Sequence, residues 1–246
     1  MSNKTVIITG GSRGIGRAIS TRFAKEGYNI VINYVNDDNS AQNLKETLEN
    51  EYNVSVLLIK ADISNEDEIK KIISTTREKF NSIDVIVNNA GICYDSSINE
   101  KNKSTFMKIL EVNLVAPFLI CKYAEKDLIS NKGCIVNIAS TNGINTYYPE
   151  SLDYDASKAG LINLTKNLSK YFAPNVRVNA IAPGWTDTDM VKDIDPKYRK
   201  IEEDNILLNR FAKPEEIANV VYFLASGEAS YINGEIIVVD GGNNGY

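Results

Sequence analysis

Along the chain, short runs of β-branched and apolar residues alternate with longer stretches in which apolar positions recur every three or four residues. The short runs are Thr5 to Thr9, Asn29 to Tyr34, Val54 to Ile59, Ile83 to Val87, Gly133 to Ile138, Val176 to Ala182 and Glu235 to Val239; helical stretches lie between them, one from about Gly14 and another from about Asn39. Seven strands in strand–helix alternation predict an α/β fold, a parallel sheet with helices on both faces. No repeat, low-complexity tract or linker interrupts the pattern, so residues 1–246 are expected to form a single domain. The least patterned stretch, 185–210, follows a strand and precedes a helix started by Pro214. An unpatterned segment of that length inside a compact domain suggests a lid over a pocket, with a surface insertion as the plainer alternative.

Composition narrows the function. The formal net charge is -5, and Lys and Arg are scattered rather than gathered in a stripe, which argues against a nucleic-acid partner. The three cysteines, Cys93, Cys121 and Cys134, are widely spaced and form no CxxC pair; they read as reduced core residues of a cytoplasmic protein. No apolar run approaches the roughly 18 residues of a membrane span, and the periodic pattern begins at once, so neither a membrane anchor nor a signal peptide is expected. Histidine is absent from the chain, which removes Ser-His triads, His-ligated metal and imidazole acid–base chemistry. No metal site is expected, and proton chemistry must use other side chains.

Several motifs fall where strands end. Thr9-Gly10-Gly11-Ser12-Arg13-Gly14-Ile15-Gly16 joins the first strand to the first helix. Glycines there permit a tight turn and close backbone approach, so that helix-start N–H groups can face a pyrophosphate; an ordinary tight turn reads the same. Tyr154 and Lys158 lie at i and i+4 on one helix face, a pairing of which about one is expected by chance in a chain with this many tyrosines and lysines. Its context carries more weight: Ser140 ends the fifth strand just upstream, on the sheet edge where open parallel sheets bind ligands. Asn113 sits within the apolar helical stretch Phe106 to Tyr123, four residues before Pro117. Pro117 has no N–H for the Asn113 carbonyl, so the helix is expected to be kinked or widened there.

Taken together, TGGSRGIG at 9–16, NNAG at 88–91, Asn113, Ser140, YDASK at 154–158, PGWTDT at 183–188, Gly234 and the Asp240-Gly241-Gly242 ending resemble the short-chain dehydrogenase/reductase family, most of all its 3-oxoacyl-carrier-protein reductases. The resemblance runs the length of the chain and implies a doubly wound seven-stranded sheet in the order 3-2-1-4-5-6-7. It implies a catalytic tetrad at Asn113, Ser140, Tyr154 and Lys158, with Ser140 and Tyr154 on the substrate carbonyl, Tyr154 as general acid, and Lys158 supporting a phenolate and holding the nicotinamide ribose. The glycine turn, with Gly10, Ser12, Arg13, Gly14, Ile15 and Gly16, would take the phosphates. Asp62 and Ile63 would line the adenine, Asn89, Ala90 and Gly91 the adenosine side, and Pro183, Gly184, Thr186 and Thr188 the nicotinamide.

At the end of the second strand, Asn33 and Tyr34 stand where an NAD-preferring site carries a carboxylate, and Arg13 is placed to meet a 2′-phosphate, which favours NADP(H). NAD(H) would be taken if Asp37 or Asp38 folded back. The leading expectation is therefore an NADP(H)-dependent reductase of a small ketone, in first place a 3-oxoacyl thioester of fatty acid biosynthesis. Its partners would be the small-molecule substrate and an acyl carrier protein, and it would assemble as a homotetramer through helices at about Lys103 to Ser130 and Leu152 to Phe172. Two departures favour an alternative, a reductase of a sugar, cyclic or other secondary alcohol. The loop between Ser140 and Tyr154 is about one residue longer than is usual in the carrier-protein reductases and carries Tyr147, Tyr148 and Pro149 as an aromatic pocket wall, and of the basic residues that would grip an acidic carrier only Lys132 and Lys170 are nearby. A dinucleotide sensor without chemistry would not need Ser140, Tyr154 and Lys158 together.

Overall fold

Strict alternation within the strands puts every second side chain on the opposite face, and that rule builds two cores here. In the computed structural model, which describes residues 4–189 and 191–243, β1 (Thr5–Ile8) is buried throughout. Val6 and Ile8 join Ile30, Ile32, Val85, Val87 and Val136 on one face, and Ile7 joins Val31, Ile86 and Ile135 on the other. The remaining strands are β2 (Asn29–Tyr34), β3 (Val56–Lys60), β4 (Val85–Asn88), β5 (Cys134–Ile138), β6 (Arg177–Pro183) and β7 (Ile236–Val239). All pair in parallel in the expected order 3-2-1-4-5-6-7. Strand ends differ from the sequence expectation by one or two residues, because apolar flanks such as Val54 and Ile83 pack in the core without entering the ladder.

Helices α1 (Gly14–Lys25), α2 (Asp38–Tyr52) and α8 (Pro214–Ala225) cover the first face, while α3 (Glu66–Phe80), α5 (Ala116–Asn131) and α6 (Leu152–Phe172) cover the second. Helix α4 (Lys103–Leu110) runs into α5 through a widened π-turn at Glu111–Val115. This continuous helical run, Lys103–Asn131, is long and apolar enough to cross a membrane, which corrects the expectation that no stretch approaches such a length. It packs instead on the sheet, burying Ile109, Val112, Ala116, Ile120, Cys121, Ala124 and Leu128. Met107, Val115, Phe118 and Ile129 remain exposed along it.

The stretch 185–210 is more ordered than its sequence pattern suggests, holding α7 (Pro196–Asp204) started by Asp195, whose carboxylate accepts the Lys197 and Tyr198 N–H groups. Nine residues with mostly charged side chains carry too little apolar periodicity to be read as a helix from sequence. Val191, Ile206 and Phe211 form a small core of their own under Trp185. Met190 of this segment, and residues 1–3 and 244–246 of the expected domain, lie outside the described residues.

Candidate active site

The site lies along the carboxyl edge of the sheet. At the β1–α1 turn, Gly10 and Gly14 take positive φ values of 60° and 52°. A Cβ on Gly16 would come within 2.1 Å of the Gly10 carbonyl oxygen, so the first turn of α1 closes on the loop only because that position is glycine. Arg13, which precedes the helix, makes no side-chain cap, and the first turn carries no acid. The opening N–H groups of α1 therefore keep their positive pole for an anion from outside, which is what a dinucleotide pyrophosphate needs. Thr188, from the start of the lid segment, stands over Gly14 at 3.5 Å from where its Cβ would be.

Asn89 and Asn33 serve this turn as fasteners. The Asn89 amide donates to the Thr9 and Gly10 carbonyls at 2.8 and 3.1 Å, while Thr9 Oγ1 accepts the Asn89 and Ala90 N–H groups. Asn33 is buried, with its amide on the Ile59 and Ala61 carbonyls and its own carbonyl on the Gly11 N–H. Ile63 is a core side chain, and Asp62 accepts from Ser64 and pairs with Lys108. At the end of β2 neither acid folds back: Asp37 caps α2 through Ser40, and Asp38 holds Lys60 and the Tyr34 hydroxyl. Arg13 is exposed at the same mouth, close enough to Asp37 to help hold its carboxyl low after the Ser40 hydrogen bonds. Thr186 is buried, its hydroxyl on the Gly184 carbonyl.

Toward the middle of the sheet the four expected catalytic side chains converge. Ser140, two residues past β5, caps the short turn Thr141–Gly143, and Tyr154 and Lys158 rise from the first two turns of α6. Lys158 is buried, its Nζ donating to the Ile138 carbonyl at 2.7 Å and lying 5.5 Å from the Tyr154 ring centroid. Burial pushes the Lys158 ammonium down to about 8 and the Tyr154 phenol up, while a hydrogen bond with the Ser140 hydroxyl pulls the phenol back. Gly91 backs onto this group, since a Cβ there would sit 3.4 Å from both Lys158 Nζ and Asn113 Oδ1.

Asn113 lies in the π-turn, where the Ala116 N–H reaches the Glu111 carbonyl one residue further back than in an α-helix. The widening falls just before Pro117, which has no N–H to give. The Asn113 amide bonds both main-chain groups of Ile92 at 2.9 Å and the Ser157 hydroxyl at 3.0 Å, so its side chain locks the segment after β4 to α6.

The substrate side holds residues that sequence reasoning missed. Lys101 and Asp153 form an ion pair at 2.8 Å with side chains only 7% and 1% exposed, tying the segment after β4 to the start of α6. Asp155 accepts from Asn142, Ser151 and the Tyr148 main chain, and Asn142 meets Ser140. Glu202 of α7 accepts from the Tyr148 hydroxyl and the Trp185 indole at 3.2 and 2.9 Å. The charge of Asp95 adds to the upward push on both the Tyr154 and the Tyr198 phenols. These partners are up to 54 residues apart in the chain, and no local pattern pairs them.

Two sequence expectations need correction. Tyr147 is 78% exposed and takes no part in the aromatic wall, which consists of Tyr148, Trp185 and Tyr198 in edge-on contact. Lys132 and Lys170 are not near the cleft within one chain: Lys132 precedes β5 at the opposite sheet edge, and Lys170 stands sixteen residues from Tyr154 along α6, about 24 Å.

Comparison with known proteins agrees with this geometry. The family model described as enoyl-(acyl carrier protein) reductase matches residues 10–244. The chain is 38% identical to the 3-oxoacyl-[acyl-carrier-protein] reductase of Aquifex aeolicus over 244 residues, 98% of each chain. It is 37% identical to that of Thermotoga maritima, again over 98% of both. Among solved structures, a dehydrogenase/reductase from Sinorhizobium meliloti superposes with a TM-score of 0.93 at 33% identity, covering 98% of this chain and 95% of that one. The L-sorbose reductase of Gluconobacter frateurii, in complex with NADPH and L-sorbose, superposes at 0.92 with 28% identity, covering 100% and 98%.

Proposed function

Since the chain belongs to the short-chain dehydrogenase/reductase family, we propose that it reduces the ketone of a 3-oxoacyl thioester with NADP(H). The observation that carries this reading is the convergence of Ser140, Tyr154 and the buried Lys158 beside an uncapped, acid-free helix start. Bound along the β1–α1 turn, the dinucleotide supplies the hydride. The chain's own residues then do the rest. Ser140 and Tyr154 hydrogen-bond the carbonyl oxygen, polarise it, and Tyr154 gives up its phenolic proton as that oxygen becomes an alcohol. The Lys158 ammonium lies close enough to stabilise the phenolate left behind. Asn113 holds the Ile92 segment and, through Ser157, the turn of α6 that carries Tyr154.

The 2′-phosphate of NADP(H) is favoured by an exposed Arg13 and by two β2-end carboxylates already occupied by Ser40, Lys60 and Tyr34. The segment 185–210 acts as the substrate lid, closed through Glu202. The exposed apolar residues of Lys103–Asn131 support a homotetramer, and an acyl carrier protein is the proposed donor of the thioester in the cytoplasm. The test is a screen of NADPH and NADH oxidation with acetoacetyl thioesters beside a panel of sugars and cyclic ketones. The expected result is turnover of the thioester with higher kcat/KM for NADPH than for NADH. Turnover confined to sugars or cyclic ketones would replace the thioester reading by one nearer the L-sorbose reductase.

A further inference from the structure

Asp155 follows the candidate acid Tyr154 directly, yet its side chain turns away from the reacting atoms and into the loop that carries Ser140. One carboxylate oxygen accepts from Asn142 Nδ2 at 2.8 Å and from Ser151 Oγ at 3.0 Å, and the other accepts the Tyr148 N–H at 3.2 Å. An ionised carboxylate has no hydrogen to donate, so only the NH2 end of the Asn142 amide can face it. The Asn142 oxygen is thereby aimed back at Ser140. Asn142 meets Ser140 twice, its N–H donating to Ser140 Oγ at 3.2 Å and its Oδ1 accepting from the same hydroxyl at 3.3 Å.

We propose that Asp155 is the positioning residue for Ser140, acting through the orientation of the Asn142 amide. The proposal rests on the reductase reading above. Without Asp155, the Asn142 amide can rotate by 180° and present NH2 to Ser140. The serine oxygen then meets a second donor instead of an acceptor, and its hydrogen loses the direction from which it swings to a substrate carbonyl. A displacement of that kind is costly for catalysis because acid catalysis depends on short, aligned hydrogen bonds in the transition state. The same carboxylate holds Tyr148, so its loss also loosens the wall that Tyr148 shares with Glu202 and Trp185.

The two effects separate by experiment. Asp155→Ala should lower kcat about tenfold or more and raise KM for the carbonyl substrate a few-fold, with dinucleotide affinity unchanged. Asn142→Ala removes the side-chain contacts to Ser140 and Asp155 but keeps the main-chain N–H on Ser140 and the Asp155 bond to Tyr148, and should lower kcat by a similar factor with KM near that of the parent; in combination the two changes should cost little more in kcat than either alone. A second readout comes from alcohol oxidation, where the phenolate is the base. The groups that act on the Tyr154 phenol are Ser140 after β5, whose hydrogen bond lowers it, Cys93 and Asp95 after β4 and Asp155 on α6, whose charges raise it, and Lys158 on α6, 5.5 Å from its ring. Asn142→Ala leaves every charge among them in place, so weakening of the Ser140 bond should move the acid limb of the oxidation profile to higher pH.

Rates are measured on whichever carbonyl compound the parent protein reduces, so an inactive thioester overturns the thioester reading alone. If Asp155→Ala folds with kcat within twofold of the parent, Asp155 does not position Ser140. If Asp155→Ala fails to fold, Asn142→Ala decides: a kcat within twofold and an unmoved oxidation profile overturn the proposal.

Discussion

The two halves of the catalytic edge are built by different means. Around the β1–α1 turn, recognition is a property of the main chain: Gly10, Gly14 and Gly16 bring the backbone close, and Asn33, Asn89 and Thr9 spend their side chains on fastening it. Around Ser140 and the lid, recognition is a property of side chains on loops, held by the carboxylates Asp153, Asp155 and Glu202. The first half sits directly on strand ends in parallel register and has little freedom to vary. The second half depends on contacts between segments far apart in the chain, 52 residues for Lys101 and Asp153 and 54 for Tyr148 and Glu202. One scaffold can therefore keep its dinucleotide chemistry while its substrate range drifts.

The sharpest break between the halves should come at Tyr154, where proton transfer is separable from cofactor binding. Tyr154→Phe is expected to lower kcat by about 10² to 10⁴ while the dinucleotide Kd, measured by fluorescence titration, stays within a few-fold. A loss below tenfold would assign the acid to another group. At the glycine turn the order reverses. Gly16→Ala forces a methyl group to within 2.1 Å of the Gly10 carbonyl; relief of such overpacking costs about 1–3 kcal/mol of stability and displaces the turn, so dinucleotide affinity should fall while kcat at saturating dinucleotide changes less. Gly227→Ala, whose Cβ meets nothing within 4 Å, is the matched control and should change neither binding nor melting temperature measurably.

A third effect joins the halves through Lys158. Its ammonium is pushed down to about 8 by burial, so it gives up its proton as pH rises through that value. The protonated form is the one that supports Tyr154, and kcat/KM for reduction should be level below pH 7 and fall about tenfold per unit above 8. A profile still level at pH 9.5 would mean that Lys158 keeps its proton in the working enzyme. The smallest effect belongs to the lid. Glu202→Ala removes the acceptor shared by Tyr148 and Trp185, and should raise KM for the carbonyl substrate a few-fold with kcat and dinucleotide affinity near those of the parent. An equal loss in kcat would place Glu202 in the chemistry rather than in the wall.

Much of this molecule could be read without coordinates. Alternation of β-branched runs with helical periods determined the seven parallel strands, because a side-chain period of two is local and needs only neighbours along the chain. The glycine spacing at 10–16, Tyr154 and Lys158 one turn apart, and Pro117 four residues after Asn113 were legible for the same reason: each rests on the geometry of a single turn. What tertiary structure alone decided is how the polar side chains are spent. Asn33 and Asn89, expected at the cofactor, carry amides that hold backbone, and Tyr148 rather than Tyr147 faces inward. Lys101 finds Asp153 across 52 residues, and Tyr148 finds Glu202 across 54. Hydrogen bonds and buried ion pairs act over about 3 Å, and which groups come that close is settled only by how the loops pack on the sheet in the folded chain.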